Sequence, residues 1–179
     1  MKTALRRAGL PAVVAVLAAT AVGCGGDGRE YAVPKSVCGM PVAESAVAPL
    51  LPDGEQLRQT GETPPARRAE CKVSVDDTAA LFLTFTGTDE KAADPMSQDV
   101  SYQFTHRERM GGLPFPGKGA LGDKSALVTT PCGGKGPANL IVEVSVDESV
   151  TEDVPQRRTD IQKFTTQYTK AAREKLSCA

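Results

Sequence analysis

The 179 residues carry 21 Lys or Arg against 22 Asp or Glu, one histidine, five cysteines and no tryptophan. So even a balance does not suit nucleic acid or anionic lipid as the principal partner, because both select strongly basic surfaces. With aromatic residues at 4%, a platform for stacking on sugars is disfavoured too.

Met1 to Arg7 holds Lys2, Arg6 and Arg7 and no acid, and Gly9 to Ala21 is apolar and small, centred on Val13, Val14, Val16 and Leu17. A basic start, a short apolar core and small residues at its end read as an export signal over residues 1–23. The apolar run falls short of the roughly 20 residues that a helix needs to cross about 30 Å of hydrocarbon, so a transmembrane anchor is the weaker reading. Two cleavage sites compete. Ala19-Thr20-Ala21 suits ordinary signal peptidase, whereas Ala21-Val22-Gly23-Cys24 looks like a bacterial lipobox, with Ala21 where leucine is commonest. Cysteine parity favours the lipobox. Using Cys24 as a lipidated N-terminus leaves Cys38, Cys71, Cys132 and Cys178, an even set for an exported domain. Without the leader, 18 basic and 22 acidic residues remain, a net charge near −4. Residues 24–37 then read as a flexible tether that holds a single domain, 38–179, near the membrane.

Pro41 to Leu51 places Val42, Ala46, Val47, Leu50 and Leu51 on one helical face, with Pro41 in the first turn and Pro52-Asp53-Gly54 as the stop. Glu55 to Ala69 is polar and reads as a loop or a weak edge strand. From Cys71 the period changes to two. Cys71, Val73 and Val75 alternate with Lys72 and Ser74, Asp76-Asp77-Thr78 makes a turn, and Ala79 to Thr86 returns with Leu81, Leu83 and Phe85 on one side, an antiparallel hairpin. Asp94 to Met110 fits two patterns. Asp94, Pro95 and the spacing of Met96, Val100 and Phe104 suit a helix, while Val100, Tyr102 and Phe104 alternate as a strand does; β-formers favour strand over 100–107. Gly111 to Gly122, rich in Gly and Pro, reads as a loop. Lys124 to Thr130 is a short strand, Gly133 to Pro137 a turn, and Asn139 to Val146 the clearest strand. Pro155 to Cys178 is an amphipathic helix with Ile161, Phe164, Tyr168, Ala171, Ala172 and Leu176 as its apolar stripe, and with Arg158, Gln162, Lys163, Lys170, Arg173 and Lys175 on the polar face.

Together these elements predict an α+β domain: an antiparallel sheet of about four to five strands, packed by an N-terminal helix and a long C-terminal amphipathic helix, and stapled by two disulfides. Four cysteines allow three pairings. Cys38–Cys71 with Cys132–Cys178 is favoured, because it ties element ends together; Cys38–Cys178 with Cys71–Cys132 is the alternative.

No motif specifies a catalytic constellation, a metal or a cofactor. Gly117-Lys118-Gly119-Ala120-Leu121-Gly122 matches G-x-G-x-x-G, but Pro114-Phe115-Pro116 precedes it and no helix follows, so it lacks the context of a phosphate cradle. A near match to a Walker A fails because Asp123 intervenes before Lys124. His106, set among Arg107, Glu108 and Arg109, reads as an exposed strand-end residue; a hydrolase would have to use it, yet neither G-x-S-x-G nor S-x-x-K is present. As a zinc ligand it would need thiols that the disulfides use, or several carboxylates. Asp76-Asp77, Asp89-Glu90, Asp147-Glu148 and Glu152-Asp153 fall in turns and read as turn acids, with no EF-hand-type loop among them.

The lipobox ending at Cys24, Cys38-Gly39 opening the domain, the Pro131-Cys132 strand end and a terminal helix closing at Cys178 together resemble the small, uncharacterised cell-envelope lipoproteins of actinobacteria. The resemblance implies a diacylglyceryl group on Cys24 and a place on the extracytoplasmic face of the cell membrane. It implies no activity. The function expected from the sequence is a membrane-anchored ligand- or protein-binding module of the envelope. The alternatives are an envelope hydrolase using His106 and a purely structural wall component.

Overall fold

The computed structural model describes residues 28–178 apart from Ala66 and Lys135. The leader, Cys24 and the start of the tether lie outside the described residues. In chain order the fold has a small ladder of β1 (Ser36–Val37) and β2 (Met40–Pro41), one turn of helix α1 (Glu44–Val47), then β3 (Leu57–Gly61), β4 (Arg68–Val75) and β5 (Thr78–Thr88). A long crossing segment leads to β6 (Glu108–Arg109), β7 (Lys118–Leu121), β8 (Ser125–Pro131) and β9 (Asn139–Val146), and the chain ends in α2 (Val154–Lys175). Seven of the strands form one antiparallel sheet in the order β3-β4-β5-β9-β8-β7-β6. The α+β class, the antiparallel sheet, the terminal helix and both disulfides are as the sequence predicts, but the strand count exceeds four to five.

The central hairpin forms where the alternation lies. Val75 pairs with Thr78 across the two-residue turn Asp76-Asp77, and both aspartates have positive φ (49° and 66°), the backbone twist a tight hairpin requires and one that Asp tolerates. The extra strands are short and carry few β-forming residues. β7 falls inside the predicted Gly-rich loop, where Gly119 is required: a Cβ there would come within 2.8 Å of the buried Met110 Sδ. β3 is the edge strand that the polar stretch left open, and its Gln59 side chain bridges Ser36 O (2.9 Å) and Cys38 N (2.8 Å).

Three further expectations are corrected. The N-terminal helix shrinks to α1 plus a 3₁₀ turn, Ala48–Leu50, because Pro49 has no N–H to continue the ladder and Pro41 belongs to β2; its apolar face is still buried. Residues 94–110 are neither an α-helix nor a strand over 100–107: Gln98–Gln103 is a 3₁₀ turn that leaves Tyr102 80% exposed. The Arg107 guanidinium holds this segment by donating to Pro95 O (3.2 Å) and Ser97 O (2.6 Å), so the backbone groups that a strand would pair are used locally. The tether expected over 24–37 is, from Gly28 onward, part of the folded unit. Arg29 bridges to Gly54, its guanidinium donates to Leu51 O (2.6 Å), Tyr31 donates its hydroxyl hydrogen to Pro52 O, and Tyr31 and Val33 pack on the core.

α2 covers one face of the sheet. Ile161, Phe164, Tyr168 and Ala172 are buried against the side of the strands that carries Val73, Leu81, Leu83, Val128, Leu140, Val142 and Val144. Asp153 caps the helix by accepting from Gln156 N (3.0 Å). The predicted polar face holds only in part. Arg173 is buried and donates to Thr130 Oγ1 and Pro131 O, and Arg158 lies against Asp123. Cys38–Cys71 fastens the N-terminal layer to β4, and Cys132–Cys178 fastens the end of α2 to the end of β8.

The Tyr168 hydroxyl is buried without a hydrogen-bond partner among the described residues, and burial raises it far above the ordinary tyrosine value. Removing an unpaired buried hydroxyl recovers its desolvation penalty, so Tyr168→Phe is expected to raise stability by up to about 1 kcal/mol. Denaturant midpoints check this, and a loss of stability would show that the hydroxyl is in fact paired.

Candidate functional site

The two faces of the sheet have different fates. α2 and residues 28–52 pack on one. The other carries Lys72 and Glu70 from β4, Phe82, Thr84 and Thr86 from β5, and Ile141, Glu143 and Ser145 from β9, each at the alternate position to a buried neighbour. On β8 the same face is closed. Ser125, Leu127 and Thr129 are buried there because the crossing segment 89–107 runs over them, with Ser125 Oγ donating to Gln103 O (3.0 Å) and Asp123 N to Thr105 O (3.1 Å). The crossing segment therefore covers the β8–β7 half and leaves the β9–β5–β4 half open.

Phe82 stands on this open half, 52% exposed, between Lys72 on β4 and Ser145 on β9, its direct partners in the two ladders. A recess of about 430 Å³ lies on one side of it, walled by Gln103, Lys124, Ser125, Ser145 and Glu148. One of about 280 Å³ lies on the other, walled by Thr60, Glu70, Lys72 and Thr84. A third and larger recess, about 640 Å³, opens where the crossing segment leaves the sheet, between Asp94 and Lys118 (an ion pair at 2.6 Å), Thr129 and Asn139.

Two charges on the open half have no partner among the described residues. Lys72 is half-buried beside Phe82 with no ion pair or hydrogen bond. Glu143, opposite Thr84 on one side and Leu127 on the other, is likewise half-buried, and desolvation raises its carboxyl above the ordinary glutamate value. The sign follows from linkage. A carboxyl that is harder to ionise folded than unfolded costs nothing while both states are protonated, and its penalty grows as pH rises from about 4 through the raised value. Glu143→Gln is therefore expected to be neutral near pH 3.5 and to stabilise the protein by a few tenths of a kcal/mol at pH 7, on the order of other surface substitutions. Denaturant melts of both proteins across that range read the difference. A penalty for the glutamine at neutral pH would contradict it.

The structure places His106 in a bend just before β6, with φ 48° and an 81% exposed side chain, but not in isolation. Its Nδ1 lies 2.7 Å from Asp123 Oδ2, while Arg158 pairs with Asp123 Oδ1 (3.0 Å) and Glu108 Oε2 (2.8 Å) and donates to His106 O (2.9 Å). The hydrogen bond from His106, with help from Arg158, holds the Asp123 carboxyl below the ordinary aspartate range. No serine or cysteine meets the ring among the described residues. The arrangement pins the 105–109 bend to α2.

The turn acids have structural tasks. Asp76 accepts from Glu55 N and Gln56 N, Asp147 from Ser149 N, Asp153 from Gln156 N, and Asp89 from Ala138 N and Arg67. The G-x-G-x-x-G stretch is largely β7, paired on both sides, so its backbone cannot form a phosphate cradle. No group of three or more metal-ligating side chains occurs among the described residues. Sequence reading missed Lys72, Phe82 and Glu143. The only signal for them was polar alternation interrupted by one phenylalanine at an outward position. Compared with known protein families, curated proteins and solved structures, the chain gives no match.

Proposed function

We propose that this protein is a binding module of the cell envelope, anchored through a lipid on Cys24 at the extracytoplasmic face of the membrane, with the open half of the sheet as its ligand surface. The observation that carries the binding reading is the exposed Phe82 flanked by two recesses and by two charges, Lys72 and Glu143, that have no partner among the described residues. Unpaired, half-buried charges cost stability, and such costs gather where a protein recognises something.

The anchor is supported by the cysteines. Four are joined in pairs, which leaves Cys24 as the one the disulfides do not use. No described helix is long and apolar enough to cross a membrane. Cys24 precedes Gly28 by four residues, and Gly28 already bonds to Gly54, so about 14 Å of chain at most separates the lipid from the fold. The end of the sheet that carries the Asp76-Asp77 turn would then face the bilayer, and the open face would stand to the side of the anchor. Intact mass of membrane-extracted protein, before and after reduction, is expected to show a diacylated N-terminal cysteine and four thiols released on reduction. A mature start at Val22 with a free Cys24 would refute the anchor. For binding, wild-type protein is expected to retain envelope material that a Lys72→Gln/Phe82→Ser/Glu143→Gln variant does not; equal retention refutes this face as the ligand surface.

A second reading, an envelope hydrolase, is favoured only by the His106–Asp123 pair. It predicts turnover of envelope substrates that His106→Ala abolishes.

A further inference from the structure

The ligand class follows from how the charges sit on the sheet. Lys72 and Phe82 are direct cross-strand partners, Phe82 and Ser145 are the next pair, and Glu143 is two residues along β9, opposite Thr84. Two strand spacings across and two residues along put the Lys72 and Glu143 Cα atoms about 12 Å apart, on a diagonal that crosses β5 between Phe82 and Thr84. The surface offers a cation at one end, an apolar ring in the middle, a hydroxyl beside it and a carboxylate at the other end. Nothing among the described residues neutralises either charge, although the same face pairs Arg68 with Glu70 at 2.7 Å.

From this geometry we infer that the open face binds a short peptide with both termini free: its carboxylate on Lys72, an apolar side chain over Phe82 and its amine on Glu143. A tripeptide extends to about 10 Å, which matches the diagonal once the flexible Lys72 stem closes the difference. Each terminal charge meets an opposite charge whose desolvation the protein has already met in part, so the complex gains two charge-assisted contacts at reduced cost. A glycan without charges would leave both groups unpaired. A polyanion would satisfy Lys72 but be repelled by Glu143. The exposed ring gives the middle residue a surface to pack on, and Thr84 and Ser145 provide hydroxyls to its backbone.

This inference rests on the binding-module reading above, and the test separates the two. The probes are Ala-Leu-Ala and its N-acetylated, C-amidated counterpart, titrated against the detergent-extracted full-length protein and followed by saturation-transfer NMR on the peptide. The free peptide is expected to bind saturably, with strongest transfer to its leucine methyls. The blocked peptide, and the free peptide against Lys72→Gln or Glu143→Gln, should each bind about tenfold more weakly, and Phe82→Ser should remove the leucine signal. All three substituted side chains lie on the surface, so the fold can be verified by unchanged denaturant midpoints to within about 1 kcal/mol. Equal binding of the free and blocked peptides would overturn the charge recognition while leaving the face as a binding surface. Binding of neither would overturn the inference, and the retention experiment would then decide the broader reading alone.

Discussion

Reduction of the two disulfides is expected to bring the domain to the edge of unfolding. The Cys38–Cys71 and Cys132–Cys178 bridges close loops with sequence separations of 33 and 46. In the chain-entropy treatment those lengths correspond to about 3.7 and 4.0 kcal/mol. The loops do not overlap in sequence, so each restricts a separate stretch of the unfolded chain and the two contributions should nearly add. Their sum, about 8 kcal/mol, is more than half of the 5–15 kcal/mol that separates an ordinary folded domain from its unfolded chain. The bridges also hold different layers. Losing Cys38–Cys71 releases residues 28–52 from β4, where Gln59 and the Arg29–Gly54 bridge remain. Losing Cys132–Cys178 frees only the last turn of α2, which the buried Arg173 still ties to Thr130 and Pro131. Urea midpoints of wild type, of each Cys→Ser pair and of the doubly substituted protein measure both terms. A doubly substituted protein within about 2 kcal/mol of wild type would mean that native contacts, rather than restriction of the unfolded chain, carry the stability.

β4, β5, β9 and α2 were legible in the sequence because each has one face in the core and one outside, and burial imposes period two or 3.6 on side chains such as Val73, Leu83, Val144 and Phe164. β7 was not legible because its role is close approach. Gly119 leaves room for Met110, and Gly122 just beyond the strand leaves room for Phe104 of the crossing segment, and glycine carries no strand signal. Residues 94–110 misled for the opposite reason. Val100, Tyr102 and Phe104 alternate as in a strand, but the contacts that decide their conformation come from Arg107, Ser125 and Asp123, distant in sequence or not apolar. That the segment read as a tether is folded from Gly28 onward was not legible, because Gly28 to Pro34 is held mostly by backbone bonds to Gly54 and by the carbonyls of Leu51 and Pro52, acceptors that every residue has.

The candidate site was less legible than the fold. Sequence motifs directed attention to His106 and the glycine loop, and the structure assigns both to holding the crossing segment and the β7 edge. Lys72, Phe82 and Glu143 belong to three strands, and each looks ordinary in its own strand. What distinguishes them is that, among the described residues, no neighbour pairs with the two charges and the ring is 52% exposed, a property of the assembled sheet alone. The disulfides Cys38–Cys71 and Cys132–Cys178 are the favoured one of the pairings that the sequence left open, and Cys71 lies within β4 rather than at its start.

Arg157 is the most consequential residue that helix periodicity does not mark. Set in the first turns of α2, it is 5% exposed, although a cation near a helix N-terminus opposes the helix dipole. Its position is explained by what it donates to: Nε to Asp123 O at 2.8 Å, Nη1 to Thr151 O at 2.5 Å and to Glu148 O at 3.2 Å. One guanidinium thus satisfies carbonyls of the β7–β8 turn and of the segment that links β9 to α2, at the same end of the sheet where His106 and Arg158 pin the crossing segment. Arg157→Met keeps the apolar stem but strands these carbonyls, and a broken buried network of this kind is expected to cost about 3 kcal/mol. Arg157→Lys should recover little, since an ammonium on a flexible stem cannot reproduce a fork aimed at separate acceptors. Amide exchange is expected to quicken first at residues 123–125 and 148–152, while the β4–β5 hairpin, bonded through its own ladder, keeps its protection. A methionine variant within about 1 kcal/mol of wild type would show that water satisfies those carbonyls as well as the guanidinium does.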